Sequence, residues 1–249
     1  GGEAFEGDSH VGRIKIESGE CSYERTYGKS IEVFSGCGTE AEDGLEIEFG
    51  KKVKEIPYLN LSGTGLRRTS LSEGIEGIGV AAFYGCANLE EIHLPESIKE
   101  IKDRAFNGCK KLKEVVLPSG VENVGGDAFS NCTNIGKVTV KGNITSGGAA
   151  FVNAGSEVTD SEGNNKGLEV IYAPGVTTIG TSLMRNSLIR EVNLPEGVEK
   201  IAKYAFSGCS KLERIELPES MQTIGGEAFE GDSHVGRIKI ESGECSYER

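Results

Sequence analysis

Cysteine is the residue type with the most regular spacing in this sequence. Of the seven cysteines, Cys86, Cys109 and Cys132 follow one another at intervals of 23 residues, and Cys37 and Cys209 have the same flanking pattern. A disulfide or metal framework is one interpretation, but no C-x-x-C pair occurs, and zinc sites use such close pairs. In stacked coils the Cβ vectors run parallel and do not converge on a disulfide. The spacing therefore predicts a column of buried free thiols.

The three histidines do not form a catalytic pattern. His93 lies between the apolar residues Ile92 and Leu94, which places it on the outward side of a predicted strand, and His10 and His234 are one position of a repeated segment. A general base needs a nucleophile within hydrogen-bond reach. The motifs G-x-S-x-G, H-E-x-x-H and G-x-x-x-x-G-K-[ST] are absent from the sequence. We therefore predict no enzymatic activity, no catalytic or metal-binding residue and no cofactor.

Two acidic stretches contain oxygen ligands of the kind that calcium prefers. These are "TEAEDG" at 39–44 and "TDSEGNNKG" at 159–167. A calcium loop is the alternative interpretation, but the EF-hand spacing D-x-[DN]-x-[DN]-G-x5-E is not met. Acidic loops rich in glycine and asparagine are typical of solvated turns, which is the interpretation we favour.

Charge and hydropathy exclude two classes of partner. The formal net charge is −12, whereas binding to nucleic acid requires a basic surface. No run of 18 apolar residues occurs, so the sequence predicts no insertion into a membrane. Simple solubility accounts for the acidity.

The regular cysteines belong to a longer repeating motif. The stretches "AAFYGCANLEEIHLPESIKEI" (81–101), "RAFNGCKKLKEVVLPSGVENV" (104–124) and "YAFSGCSKLERIELPESMQTI" (204–224) show it most clearly. In L-x-x-I-x-L the apolar residues alternate as in a strand with one buried face. Proline then ends the strand because it lacks the N–H that a ladder requires. One such coil cannot bury its apolar face alone, so the repeat predicts a stack of coils.

The aromatic residue of the motif is predicted to form part of the core. Phe83, Phe106, Phe129 and Phe206 share one position, and Met184 takes it in "TSLMRNSLIREVNLPEGVEKI". We predict that the four phenylalanines form one buried stack, with the regularly spaced cysteines beside it as free thiols.

The motif A-F-x-G-C-x-x-L-x-x-I-x-L-P at 23-residue spacing resembles the BspA-type, or Treponema-type, leucine-rich repeat of bacterial surface proteins. The resemblance extends over essentially the whole chain. It is strongest at 75–140 and 196–240 and weakest at 17–66 and 141–187. It implies a right-handed solenoid, largely parallel β-sheet with short turns and 3₁₀ or helical pieces. It also implies a non-enzymatic role in protein interaction or adhesion, at the bacterial surface or after secretion, with a host extracellular or cell-surface protein as a possible partner.

We therefore predict a single leucine-rich-repeat domain over 1–249 with about ten coils. Irregular or inserted stretches are expected near 17–43 and 141–166, because these break the period and contain many glycine, asparagine, serine and acidic residues. Ten strand motifs are expected, at 11–16, 45–49, 66–71, 89–94, 112–117, 135–140, 168–172, 189–194, 212–217 and 235–240.

The outward side of these strands is the candidate binding surface. In each motif the two residues that flank the central apolar residue face outward. The candidate partner contacts among them are Arg68, Glu91, His93, Glu114, Val116, Lys137, Glu169, Ile171, Glu191 and Arg214. No aromatic residue occurs at these positions, although binding grooves generally use aromatic anchors. The alternative interpretation is a solvated sheet with cross-strand charge pairs, in a purely structural spacer or stalk that projects another domain.

One 25-residue segment occurs twice. "GGEAFEGDSHVGRIKIESGECSYER" stands at 1–25 and again at 225–249, letter for letter, whereas the ordinary repeats share only a pattern. A natural super-repeat of 224 residues, an engineered array and an artificial duplication of the segment all account for it. The two copies are expected to adopt the same coil conformation, and their edges to allow end-to-end self-association. Cys21 and Cys245 lie off the regular spacing and are predicted to be exposed thiols.

Overall fold

The repeating motif winds into a parallel β-solenoid. The computed structural model describes residues 8–17, 34, 36–57 and 61–232, together with the backbone of 237–240 and 246–247. Nine strands form one wall: β1 (Arg13–Ile16), β2 (Leu45–Phe49), β4 (Leu66–Leu71), β7 (Glu114–Leu117), β9 (Lys137–Val140), β10 (Leu168–Tyr172), β12 (Ile189–Asn193), β14 (Arg214–Leu217) and β16 (Arg237–Ile240). We call the outward side of this wall the strand face.

A second wall is built by two-residue strands from the V-x-x-I part of the motif. These are β3 (Glu55–Ile56), β5 (Gly77–Ile78), β6 (Glu100–Ile101), β8 (Asn123–Val124), β11 (Thr178–Ile179), β13 (Lys200–Ile201), β15 (Thr223–Ile224) and β17 (Ser246–Tyr247). Bridges from Ser146 to Asn123 and to Thr181 join the two halves of this ladder. The eight short strands and Ser146 give nine levels of this ladder, and therefore about eight complete turns between the first and the last, where the sequence predicted ten coils.

The strand prediction was wrong at one motif. Residues 89–94 form no strand within the described range 61–232, and the first wall is divided there into sheets of three and six strands. Arg67, the extra residue of a bulge in β4, contacts the unpaired coil. Its carbonyl accepts the N–H of Glu90 at 3.1 Å, and its Nε lies 3.2 Å from Glu90 Oε1. Side-chain ion pairs and a backbone hydrogen bond therefore take the place of a strand ladder between these two coils.

The third wall, which contains the Ala-Phe pairs, consists of turns. No helix or 3₁₀ segment occurs among the described residues, so the expected helical pieces were wrong. The backbone N–H groups of this wall form hydrogen bonds in two alternating sets. One set of N–H groups donates to carbonyl oxygens of the following coil, and the other donates to the carbonyl three residues earlier. In one coil the first set is Ala81, Phe83 and Gly85, and the second is Ala82, Tyr84 and Cys86.

This turn requires left-handed backbone conformation at two positions, and the first of them is a residue other than glycine in seven coils. The residue before the Ala-Phe pair, or its equivalent, has φ between 53° and 59° in seven coils: Ala81, Arg104, Asp127, Ala149, Ser182, Tyr204 and Glu227. The second position lies two residues after the phenylalanine and is glycine or asparagine, as at Gly108 and Asn131. Left-handed conformation costs a side-chain-bearing residue about 1–2 kcal/mol. The pairing between coils therefore stabilises an intrinsically unfavourable turn.

Phenylalanine rings stack inside this wall at the spacing of the coils. Phe83, Phe106, Phe129 and Phe151 are fully buried and lie nearly parallel, with successive centroids 5.1, 5.0 and 5.1 Å apart. The predicted burial is confirmed, but the predicted single stack is wrong. Met184 interrupts the column, and Phe206 is also buried but stacks on Phe229 in a separate pair at 5.6 Å.

The thiol column is confirmed. Cys37, Cys86, Cys109, Cys132 and Cys209 are buried and free. The Cys109 thiol lies 3.3 Å from the carbonyl oxygen of Phe83, and the Cys132 thiol lies 3.1 Å from that of Phe106, so each reaches the preceding coil. Burial raises the pKa of Cys109 well above its ordinary value and that of Cys209 to about 12. Cys21 and Cys245 lie outside the residues whose side chains are described.

The irregular stretches differ in extent from the expectation. Within 141–166, Ala150 and Phe151 continue the turn wall, so the departure from the repeat is confined to 156–166. There Thr159 bridges to Asn165 in an antiparallel hairpin. Most of 17–43 lies outside the described residues, and its irregularity stays a prediction. The two copies of the repeated segment share the strand at Arg13–Ile16 and Arg237–Ile240, and most of their other residues lie outside the described set.

The stacked rings should dominate core stability. We expect Phe106→Ala to lower the free energy of unfolding by about 3–5 kcal/mol, because it opens a cavity between two parallel rings. Denaturant unfolding followed by circular dichroism measures this loss. Tyr84→Ala is the control, since Tyr84 is 44% exposed in the adjacent turn. Equal losses in the two variants would contradict a buried stack.

The left-handed turn position should be improved by glycine. We expect Arg104→Gly to raise the free energy of unfolding by up to about 1 kcal/mol, because relief of the left-handed strain exceeds the backbone entropy of glycine. Lys111→Gly, at an exposed position without positive φ, is expected to lower it by about 0.5–1 kcal/mol. Denaturant midpoints compare the two variants, and the same sign for both would show that Arg104 is not strained.

The five regularly spaced thiols should be unreactive in the folded chain. Thiolate is the reactive form, and burial raises the pKa values of Cys86, Cys109 and Cys209. In a Cys21→Ala/Cys245→Ala background, we expect a thiol-specific disulfide reagent at pH 8 to label no cysteine before unfolding and five after denaturation. Labelling of the native protein would show that the column is accessible.

Candidate interaction face

Strand alternation positions the candidate residues. In β7, Val115 and Leu117 point into the core, while Glu114 and Val116 face outward, and Val116 is 37% exposed. All ten residues proposed from the sequence lie on the outward side. Ile171 is half-buried and the rest are exposed: Arg68, Glu91, His93, Glu114, Val116, Lys137, Glu169, Glu191 and Arg214.

In-register pairing brings most of these residues into two rows. The first, the charged row, contains Glu114, Lys137, Glu169, Glu191 and Arg214 in strands β7 to β14. Adjacent residues within this row have opposite charges, except for Glu169 and Glu191, which are adjacent and both acidic. Across the sheet break, Arg68 Nε lies 3.8 Å from Glu91 Oε1. Exposed pairs of this kind contribute little to stability, so the row mainly determines the local charge pattern.

The second row is uncharged. It contains Val116, Thr139, Ile171 and Asn193 on four adjacent paired strands. Beyond the sheet break, His93 holds the corresponding outward position of its motif. Val116 and Ile171 are the row's aliphatic members, and Thr139 separates them. These four residues carry no charge, whereas the adjacent first row is ionic.

A depression of about 440 Å³ lies on the charged row, at the N-terminal ends of β10, β12 and β14. Its lining includes Lys166, Arg190 and Glu213, which the sequence analysis did not single out. Arg190 is the extra residue of a bulge between β10 and β12, and its Nε donates to Glu213 Oε1 at 2.9 Å. The repeat period could not reveal this side chain, because the bulge shifts it off the regular outward positions.

The acidic stretches do not form a metal centre in the described residues, where no group of three His, Cys, Asp or Glu is arranged to hold an ion. Asp160 Oδ1 instead accepts the N–H groups of Glu162 and Asn164, each at 2.9 Å. These bonds lower the pKa of Asp160. The carboxylate therefore stabilises its own turn.

A buried cysteine, Cys209, and a half-buried aspartate, Asp232, have the residue types of a nucleophile site. The N–H of Cys209 donates to Asp232 Oδ1 at 2.7 Å, and the Ser187 hydroxyl lies 3.4 Å from the thiol. Burial raises the pKa of the Cys209 thiol to about 12 and that of Asp232 to about 7. A nucleophilic cysteine requires a lowered pKa, so this environment acts against activation.

Among the residues that the structure describes, there is no helix with the length and hydrophobicity needed to cross a membrane.

Comparison with known proteins identifies the repeat. The family described as "BspA type Leucine rich repeat region" matches six copies over residues 31–157 and 163–247. No curated protein sequence matches the chain.

Several solved bacterial structures that are described as leucine-rich proteins align with the chain. A leucine-rich repeat protein from Eubacterium ventriosum aligns with a TM-score of 0.57 at 20% identity, over 91% of this chain and 60% of that one. One from T. pallidum has a TM-score of 0.46 at 25% identity, over 72% and 71%. A leucine-rich cell surface protein from Faecalibacterium prausnitzii has a TM-score of 0.41 at 18% identity, over 94% and 88%. The first of these supports the solenoid fold.

The motif of this family forms the coils described above, and the family match covers most of the chain. The chain therefore belongs to the BspA-type leucine-rich-repeat family.

Proposed function

We propose that the chain is a non-enzymatic interaction module that binds a protein through its strand face. The observation that supports this proposal is the uncharged row beside the charged row, continuous over the paired strands β7 to β12. Val116 and Ile171 supply apolar contact area, and Lys137, Glu191 and Arg214 supply charges that fix the register of a partner. Charge complementarity contributes specificity and association rate more than affinity.

The proposed location is the bacterial cell surface or the extracellular medium. Membership of the BspA-type family favours this location, because the repeat is found in bacterial surface proteins. The proposed role there is adhesion to an extracellular or cell-surface protein of a host.

A structural spacer is the second candidate function. It is favoured by the partial compensation of charge along the charged row and by the lack of an aromatic residue at the outward positions of the described strands. A spacer requires a stable solenoid and no partner on the strand face. The two functions therefore differ in whether substitutions on this face change binding.

Binding variants should separate the two functions. A partner is first isolated with the immobilised chain from extracellular-matrix and cell-surface fractions, and its affinity is then measured with purified protein. We expect Val116→Lys/Ile171→Lys to weaken binding by about tenfold or more, because two central apolar contacts are replaced by charges. Val80→Lys is the matched control, since Val80 is 55% exposed on another wall.

Thermal unfolding monitored by circular dichroism shows whether each variant retains the fold. Binding that is insensitive to the strand-face variant, or equally sensitive to Val80→Lys, would count against the strand face as the binding surface. If neither fraction yields a partner whose binding the strand-face variant weakens, the spacer is the better description.

A further inference from the structure

The first wall is interrupted at one coil, and the second wall is not. Residues 89–94 form no strand, so β4 and β7 belong to separate sheets. At the same level of the solenoid, the short strands β3, β5, β6 and β8 pair in register as one sheet. In the third wall, Phe83 and Phe106 stack with their centroids 5.1 Å apart. The coils of these two rings are therefore joined on two sides and unpaired on the third.

The backbone of this coil is unpaired on the first wall. The N–H of Glu90 donates to the carbonyl oxygen of Arg67 at 3.1 Å. Residues 91–94 form no backbone hydrogen bond with the coil on either side, within the described range 61–232. By contrast, β9 and β10 pair over four consecutive residues. The ladder that fixes the spacing of neighbouring strands is thus missing on both sides of residues 91–94.

The central inward residues of the first wall show where this wall is open. Ile92 is 8% exposed, and its neighbour Thr69 in β4 is 6% exposed. The hydroxyl oxygen of Thr69 is buried without a hydrogen-bond partner among the described residues, which is unfavourable. The other members of this column in β2 to β14 are at most 2% exposed: Ile47, Val115, Val138, Val170, Val192 and Ile215. The wall is therefore less tightly closed at Thr69 and Ile92 than at any of these.

Ionic contacts hold one side of the interrupted coil. The Arg67 guanidinium donates to both carboxylate oxygens of Glu90, at 3.2 and 3.3 Å, and Arg68 Nε lies 3.8 Å from Glu91 Oε1. The Arg67 and Glu90 side chains are 33% and 34% exposed, so dissolved salt screens their attraction. On the other side, no hydrogen bond or ion pair joins residues 91–94 to β7 in the described part of the chain. The first wall is thus closed here by contacts that are weak and sensitive to salt.

We propose that this coil is a hinge of the solenoid. Its axis is the second wall, where the sheet of β3, β5, β6 and β8 stays paired, and its moving side is the first wall at residues 89–94. Bending about this axis breaks no strand ladder. Segments with few backbone hydrogen bonds are also those that open at the lowest free energy.

The hinge divides the strand face into two parts. Arg68 lies on the sheet of β1, β2 and β4, whereas Glu114 and Val116 lie on the sheet that begins at β7. Opening the hinge changes the angle between these parts, so it adjusts the curvature of the strand face to the surface of a partner. This inference goes beyond the proposed function and does not depend on it, because the hinge is a property of the free chain.

Distances between pairs of spin labels test the hinge by double electron–electron resonance. In the same double-alanine background as the thiol labelling, Glu46→Cys/Lys137→Cys places labels on β2 and β9, across residues 89–94. Glu114→Cys/Arg214→Cys is the matched control, on β7 and β14 of one continuous sheet. Each pair spans four coils at the same outward position of the motif, about 19 Å at a strand spacing of about 4.8 Å. We expect a distance distribution at least about twice as broad across the hinge as in the control.

The ionic contacts should control the opening. We expect Arg67→Ala to broaden and lengthen the distances across the hinge, because it removes the ion pair with Glu90. We expect about 1 M sodium chloride to do the same to the unsubstituted arginine by screening. The matched variant is Arg190→Ala, measured with the control labels. Arg190 is also a bulge residue with an ion pair to the following coil, at Glu213, but it lies between paired strands, so we expect no broadening there.

Labels on the second wall distinguish a hinge from local unfolding. Glu55→Cys/Asn123→Cys spans β3 to β8, and a hinge predicts a narrow distribution that neither salt nor Arg67→Ala changes. Broadening of this pair to the same extent as the first-wall pair would overturn the proposal. Equal widths for the hinge and control pairs, or a hinge pair that responds to neither salt nor Arg67→Ala, would overturn it too. Thermal unfolding monitored by circular dichroism verifies the fold of each variant. No partner takes part in these measurements, so their outcome is independent of the proposed function.

Discussion

The in-register parallel stacking of coils is the constraint on which this structure depends. Hydrogen bonds hold successive strands about 4.8 Å apart, so residues one period apart are placed directly over one another. The phenylalanine centroids at 5.0–5.1 Å follow this spacing. The thiols of Cys109 and Cys132, each bonded to a carbonyl oxygen of the preceding coil, follow it too. Residues at the same position of the motif therefore form a column through the stack, and the surroundings of each residue are set by its neighbours in that column.

This constraint explains which features the sequence could predict. Burial of Phe106 or Cys109 depends only on the repeat period and on the apolar character of the residue, and the sequence shows both. The left-handed conformation of Arg104, Tyr204 and Glu227 is not visible, because these residue types seldom adopt positive φ. The fold imposes that conformation through hydrogen bonds between coils, so a local sequence pattern gives no indication of it.

The strand face likewise has some features that the sequence could predict and others that it could not. Alternation within each strand correctly placed Glu114, Val116 and Lys137 outward. It could not reveal the bulge that brings Arg190 to the edge of the face, nor the missing strand at 89–94, since both depend on how neighbouring coils fit together. The repeat period predicts which residues form each column. An extra bulge residue depends on how two neighbouring coils pair, so it cannot be predicted from either repeat alone.

The inward positions of the repeat stay apolar, whereas the charges at the outward positions of the strand face change from coil to coil. The repeated 25-residue segment departs from this rule. Arg13 and Arg237 agree, and so do Lys15 and Lys239, although the core requires neither pair. Folding alone therefore does not account for the identity, which is that of a duplicated unit.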